Sequence, residues 1–432
     1  MGLPPTKPKS VPAPVPDKHN LRASTTLPPT PPRHHAWLRL SLQIAAYLAC
    51  STAAYYGMWI RPARYYGLGG HFASTLTSGK FPDHPDAFSL KRRYIGVAFV
   101  DDTLTFLDVA FMPGIARWHS AFGFLQLYFL GGLLQPIAIW AVESVRRRNE
   151  MALISFIGVW SYIYQTNGIA VIMPLYFIAY TYLSNGESYW GPPPSLSSEV
   201  PLKYAKVLLP AILLGYALPT LLMFWPFWTD PDTVQNLTAF WQPSPCYVQV
   251  LLVVLGGGYD LKNIYQQHQQ KSSPSTGANS TSLNRAKDNP GEKDSAYPYL
   301  KAVYSCTFVV GLVLHVSCIA YLTLVSPDPE LTLKSVFWPD WSATPKPHGE
   351  GLRNMWLVDF YVFDVACVIW CCFAVWDLKS VGRLTPGEES FGVARASLLI
   401  LLAQLVVGPG AAMSAVWYWR EIALSRTLVR RK

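Results

Sequence analysis

The sequence predicts an all-α, polytopic integral membrane helix bundle with eight or nine transmembrane segments. Three observations carry that expectation. Half of the 432 residues are hydrophobic and 14% are charged, against about a quarter charged in an average soluble protein. The apolar residues fall in long runs, not in the alternating or amphipathic patterns of a soluble domain. Lys and Arg gather in connectors such as Lys91-Arg92-Arg93, Arg146-Arg147-Arg148 and the tail Arg430-Arg431-Lys432, as in loops that flank membrane spans.

Residues 1–36 are Pro-rich and polar and predict a disordered tail. They hold no early apolar core and no cleavage site, so no secretory signal is expected. Residues 37–265 form the first part of the membrane domain, with apolar segments at Trp37–Ile60, Tyr94–Pro113, Ala121–Val142, Met151–Leu183, Ala205–Trp228 and Cys246–Tyr265. Met151–Leu183 is broken by Gln165-Thr166-Asn167-Gly168 and by Pro174, and Ala205–Trp228 carries three prolines that predict a kink. Residues 266–297, rich in Gln, Ser, Asn and Lys, predict a disordered polar loop. Residues 298–420 supply the second part, with Tyr299–Val325, Met355–Trp376 and Phe391–Trp417, and residues 421–432 form a basic tail.

Orientation stays open. The sequons Asn236-Leu237-Thr238 and Asn279-Ser280-Thr281, which would make the chain a glycoprotein, flank one segment and cannot both be lumenal if that segment spans. One segment is then re-entrant, and Tyr94–Pro113 is the first suspect. The net charge of +9 follows from topology; no nucleic-acid recognition motif accompanies it. The seven cysteines lie mostly in apolar runs without zinc-ligand spacing, as small core residues do.

The candidate chemistry starts with three acids in one apolar segment. On a helix Asp101, Thr105 and Asp108 share one face, and Asp102 adjoins it. An ionisable group at membrane depth costs several kcal/mol and normally faces an interior or a wet cavity. Asp101, Asp102 and Asp108 are therefore the candidate catalytic groups, as a buried proton donor and its partner. Helix capping or pairing with Arg92, Arg93 or Arg117 is the structural alternative.

Candidate substrate-binding residues are Asn167, His315, Asp359, Asp364, Glu187 and Trp118. Asp359 and Asp364 lie about 140° apart on a helix and do not form one face. His315 is a lone histidine in an apolar run, where a satisfied core residue is the bland reading. Asn167 can bond between helices or touch a ligand, and Glu187 follows the fourth segment at a possible cavity mouth. The 16 Trp, 24 Tyr and 20 Phe either form interfacial belts or line a cavity, where ring faces stabilise a carbocation without attacking it. No diphosphate–magnesium motif, Walker loop, Gly-x-Ser-x-Gly, His-Glu-x-x-His or haem motif is present. An enzyme built this way is expected to need no cofactor and no metal.

Four motifs then suggest a family. Asp-Asp-x-Leu-x-x-Leu (Asp101–Leu107) precedes Thr-Asn-Gly-x-x-x-x-x-Pro-Leu-Tyr-Phe (Thr166–Phe177), Leu-Leu-Gly-Tyr-x-Leu-Pro-Thr (Leu213–Thr220) and Phe-Trp-Gln-x-x-Pro (Phe240–Pro245). Together, from about Tyr94 to Trp417, the chain resembles fungal membrane-bound terpene cyclases of meroterpenoid biosynthesis, those of ascofuranone and macrophorin. The resemblance implies protonation of a terminal alkene or epoxide on a prenylated aromatic or polyketide substrate, followed by cyclisation. It implies an endoplasmic reticulum membrane enzyme of secondary metabolism, of the isomerase or lyase type. No site residue is carried over from the family. The alternative is a proton-coupled transporter or a lipid-binding membrane protein using the same aspartates.

Overall fold

The computed structural model describes residues 36–81, 84–184, 199–228, 230–272, 295–380 and 384–425. Glu187, Asn279, the Pro-rich start and the basic end lie outside the described residues. The described chain is helical apart from one antiparallel ribbon, β1 (Lys80–Phe81) with β2 (His84–Ser89). Its first half comprises α1 (Ala36–Tyr55), α2 (Leu68–Ser78), α3 (Ala98–Ile115), α4 (Ser120–Gly132), α5 (Leu134–Ser144), α6 (Ile157–Asn167) and α7 (Ile169–Ser184). Then follow α8 (Leu202–Ile212), α9 (Leu218–Met223), α10 (Pro231–Trp241), α11 (Ser244–Ser272) and α12 (Tyr297–Ala320). The chain closes with α13 (Leu333–Phe337), α14 (His348–Ser380), α15 (Pro386–Phe391), α16 (Val393–Val406) and α17 (Pro409–Ser425).

Among the described residues, four helical stretches are long and apolar enough to cross a membrane: Ser120–Ser144, Leu202–Met223, Tyr297–Val325 and His348–Ser380. The pair Pro231–Trp241 and Ser244–Tyr259, bent by 56°, adds a fifth if it counts as one span. This corrects the expectation of eight or nine. The expected fourth segment divides at Gly168, the last at Gly408, and both glycines hold positive φ (+93° and +88°). An 11-residue piece such as α6 rises only about 16 Å, half a hydrocarbon core. The first segment is helical but polar on one side: Arg39, 7% exposed, pairs with Asp377 of α14 at 2.7 Å. The aspartate-bearing segment becomes α3, which turns back through Arg117 into α4 and is not among the four.

The long helix α14 organises the interior, packing against α1, α3, α4, α7, α16 and α17. Apolar side chains on the outer faces of α12 (Val309, Val313, Val316) and α16 (Leu398, Leu401, Leu405) are exposed, a surface suited to lipid. The arginine triplet is not simply a charged connector. Arg146 is 1% exposed and donates to Glu143 at 2.8 Å and to Glu421, while Arg420 reaches Glu143 at 3.1 Å. Opposite charges held inside by mutual hydrogen bonds tie α5 to α17, and removing one partner would strand the other.

Two family motifs serve packing. Pro219 lacks an N–H, and just before it Leu213–Ala217 forms a widened turn in which Leu218 N–H reaches Leu213 O. A Cβ on Gly215 would lie 2.7 Å from Val248 N, so only glycine lets this turn meet α11 so closely. Trp241 Nε1 donates to Thr220 Oγ1 at 2.9 Å and Tyr216 Oη to Leu130 O at 2.7 Å, which locks α9, α10 and α4 together.

Candidate active site

The three acids of α3 part company. Asp101 sits in the first helical turn, 5% exposed, and accepts the backbone N–H groups of Tyr94 (3.0 Å), Ile95 (2.9 Å) and Gly96 (3.0 Å). Those donors, Ile95 foremost, hold its carboxyl below the usual carboxylate range. It is an anchor for the connector before α3. Asp102, the next residue, is exposed.

Asp108 is fully buried; Tyr94 Oη donates to its Oδ2, and its Oδ1 has no hydrogen-bond partner among the described residues. Burial pushes this carboxyl up to about 8, against the lowering effect of the Tyr94 bond and of Lys91. The shared face of Asp101, Thr105 and Asp108 is real, and all three are buried. Thr105 Oγ1 donates to the carbonyls of Asp101 and Lys91, so it ties the connector down.

The aromatic chamber lies beside this face, not upon it. A cavity of about 260 Å³ is enclosed by the widened turns that follow α1 (Tyr56–Ile60 and Pro62–Tyr66), α2, α3, the end of α6 and α14. Its rings are Trp59, Phe72, Phe106, Phe111 and Trp356, and Asp359 is the one carboxyl among its lining residues. Phe111 and Trp356 meet edge to face at 4.7 Å, and Phe72 and Phe106 lie 5.3 Å apart. Such contacts fix ring orientation.

Asp359 is held by the break between α6 and α7. Its Oδ1 accepts the N–H of Ala170, in the first turn of α7, at 2.8 Å. A carboxyl group from another helix thus caps α7. Gly168, at φ +93°, makes the approach possible: a Cβ there would lie 2.3 Å from Met58 Cε and 3.3 Å from Asp359 Oδ1. Trp59 Nε1 donates to Asn167 O at 3.0 Å and closes the same corner.

The other sequence candidates scatter. The Asn167 side chain is exposed and donates within its own helix end, to Ile163 O and Thr166 Oγ1; Gln165 and Thr166 line the chamber in its place. His315 and Asp364 line a separate cavity of about 40 Å³ with Tyr128 and Gln135, room for a few waters at most. There Tyr128 Oη and His315 Nδ1 are 2.8 Å apart. Trp118 packs edge-on against Phe81 at 4.8 Å, under the β ribbon. Sequence reasoning passed over Trp356, Phe111, Tyr94 and Gln242 as individual residues; for the last, the signal was its place in Phe-Trp-Gln-x-x-Pro.

Fold and site together define a helical protein with apolar, membrane-length helices, one of which, α14, walls an aromatic chamber that holds one carboxyl. Residues 44–425 match the CtvD domain, and the chain belongs to that family. It is similar to the protein named terpene cyclase ascI of Acremonium egyptiacum, 23% identical over 356 residues that cover 79% of this chain and 81% of that protein. It is also similar to FAD-dependent monooxygenase verC1 of Penicillium polonicum, 24% identical over 290 residues that cover 67% of this chain and 31% of that protein. The chain therefore spans about a third of the monooxygenase's length. No solved structure matches. The resemblance read from the four motifs, to a fungal terpene cyclase-like family, stands.

Proposed function

We propose that the chain is a membrane terpene cyclase that opens a prenyl-chain epoxide, or protonates a terminal alkene, in the aromatic chamber. The observation that carries this reading is a single carboxyl, Asp359, among five aromatic rings. The carboxyl is held at the start of α7 by the N–H groups of Ala170 and Ile169, which fixes it on the chamber wall. Asp359 gives its proton to the epoxide oxygen; the C–O bond breaks, and the electron pair of a neighbouring alkene forms the new ring bond. The cation that results is stabilised by ring faces worth about 2 kcal/mol each when desolvated, and the apolar walls keep water from quenching it. The final cation loses a proton to the Asp359 carboxylate, which restores the acid.

The epoxide is the favoured form of substrate. A flavin monooxygenase inserts one oxygen atom, and a relative bearing that name carries a segment matching this chain. A prenylated aromatic or polyketide epoxide is accordingly the substrate class, and the enzyme works within a membrane, with the endoplasmic reticulum as its site. Asp101 holds the connector before α3 in this scheme. Microsomes containing the chain, fed a prenylated phenol epoxide, are expected to yield cyclised product without added nucleotide or metal. Asp359→Asn is expected to insert normally and lose roughly 10²–10⁴-fold of the rate. Normal turnover by that variant would overturn the assignment, and flux without product would instead support a transporter.

A further inference from the structure

A second cavity, of about 410 Å³, adjoins the aromatic chamber. The two share Leu107, Gln165 and Thr166 as a common wall. Their linings differ in kind. The second has no carboxyl among its lining residues; it presents the phenols Tyr94, Tyr162 and Tyr247 and the amides Asn236 and Gln242 among apolar side chains.

Two of these polar groups are prepared for something that the described residues do not supply. Gln165 Nε2 donates to Gln242 Oε1 at 2.7 Å, which orients the Gln242 amide. Gln242 is 5% exposed, and its Nε2 has no acceptor among the described residues. A buried N–H donor left without a partner is costly and marks a place for one. Tyr94 presents the complement. Its hydroxyl hydrogen is committed to Asp108 Oδ2, so its oxygen lone pairs are what it offers the cavity. Asp108 acts as a positioning residue: buried within α3, it turns the Tyr94 hydrogen inward. Gln242 Nε2 has almost no free surface, so a small turn of its amide is what opens it to the cavity; one donor and one acceptor then stand between apolar walls, which suits a flat ring bearing an O–H and a second oxygen. At its rim stand Ile95, Phe99, Tyr162 and Phe240, all exposed, and an apolar mouth of that kind suits a ligand arriving from lipid.

We infer that this second cavity binds the hydroxylated aromatic head of the substrate, through Gln242 Nε2 and the Tyr94 oxygen, while the prenyl chain crosses the Leu107–Gln165–Thr166 wall into the aromatic chamber. The inference rests on the cyclase reading for the chain's destination, but the head site has its own test. Two substrates separate the compartments: a prenylated resorcinol epoxide, and a prenyl epoxide of the same length that ends in a methyl group. For the headed substrate, Tyr94→Phe and Gln242→Glu are each expected to raise KM about tenfold with kcat nearly unchanged, the signature of lost ground-state binding. For the headless one, kcat/KM should stay within twofold of wild type. Equal losses on both substrates, or none on either, would overturn the head site. A binding measurement covers the case in which neither substrate cyclises. An unprenylated alkylresorcinol should raise the thermal midpoint of the purified wild-type protein and do so less for Tyr94→Phe. No shift in wild type, or the same shift in both, would overturn the inference; a Tyr94-dependent shift without cyclisation would sustain it while removing the cyclase reading.

Discussion

Asp359 and Asp364 stand five residues apart on one helix and open onto two different cavities. Asp359 faces about 260 Å³ lined by five aromatic rings, and Asp364 faces about 40 Å³ shared with His315, Tyr128 and Gln135. Both carboxyls sit in the same long apolar helix, so hydropathy treats them alike. Packing does not: rings line both, Tyr128, Phe129, Phe360 and Phe363 in the second, but only the first has room for a prenyl chain. An acid within an apolar helix marks an interior polar site, and the volume and lining beside it decide whether that site can do chemistry.

The comparison breaks most sharply by exchanging the two acids. Asp359→Asn is expected to lower the cyclisation rate by roughly 10²–10⁴-fold, whereas Asp364→Asn should leave it within about threefold, as a group outside the reacting volume would. Steady-state product analysis on both variants decides this, and equal losses would merge the two cavities into one site. A smaller effect is expected at the corner that delivers Asp359. Gly168→Ala forces a side chain into a backbone conformation reserved for glycine (φ +93°, ψ +139°), at a cost of about 1–3 kcal/mol. It should lower the thermal midpoint and the rate together, because Met58 and Asp359 are the neighbours that must move. An unchanged midpoint would mean that the α6–α7 break is not fixed by this residue.

The acids of α3 sharpen the contrast further. Asp101→Ala removes the acceptor of three backbone N–H groups, so the thermal midpoint should fall, while the rate per folded molecule is retained. A variant that folds normally yet does not turn over would return Asp101 to the chemistry. The gentlest test is the pH dependence of stability. Folded Asp108 keeps its proton up to about 8, whereas an unfolded aspartate loses it near 4. Between these limits the folded state binds the extra proton. The contribution of Asp108 is thus complete below about pH 4 and is lost as pH rises towards 8. Wild type should lose thermal stability between pH 5 and 8 more steeply than Asp108→Asn, and parallel profiles would contradict the buried, protonated Asp108.

Much of this was legible in the sequence because it depends on local pattern. The helical class, the buried face of α3 and the polar break at Gln165–Gly168 follow from periodicity, charge spacing and a glycine within an apolar run. The separation of Asp359 from Asp364 follows from helical geometry alone. The span count was not legible, since hydropathy sums over a break that only backbone geometry at Gly168 and Gly408 exposes. Nor was the pairing of Asp359 with Ala170 N–H, which joins residues 189 apart in the chain and leaves no local mark. Trp356 and Phe111 read as two aromatics among many; only their edge-to-face meeting at 4.7 Å makes them a wall. Asp101 drew attention as an acid in an apolar run, yet its partners are three N–H groups of its own connector.

The most direct test measures whether the chamber prefers positive charge. A prenyl-chain amine, cationic where the carbocation would form, and its neutral carbon isostere are compared as ligands of the purified protein. A site complementary to a cation should hold the amine at least about tenfold more tightly, and Trp356→Leu should abolish most of that preference while leaving the isostere's affinity in place. Equal affinity for the two ligands in wild type, or a preference that survives Trp356→Leu undiminished, would contradict the claim that these rings stabilise a carbocation.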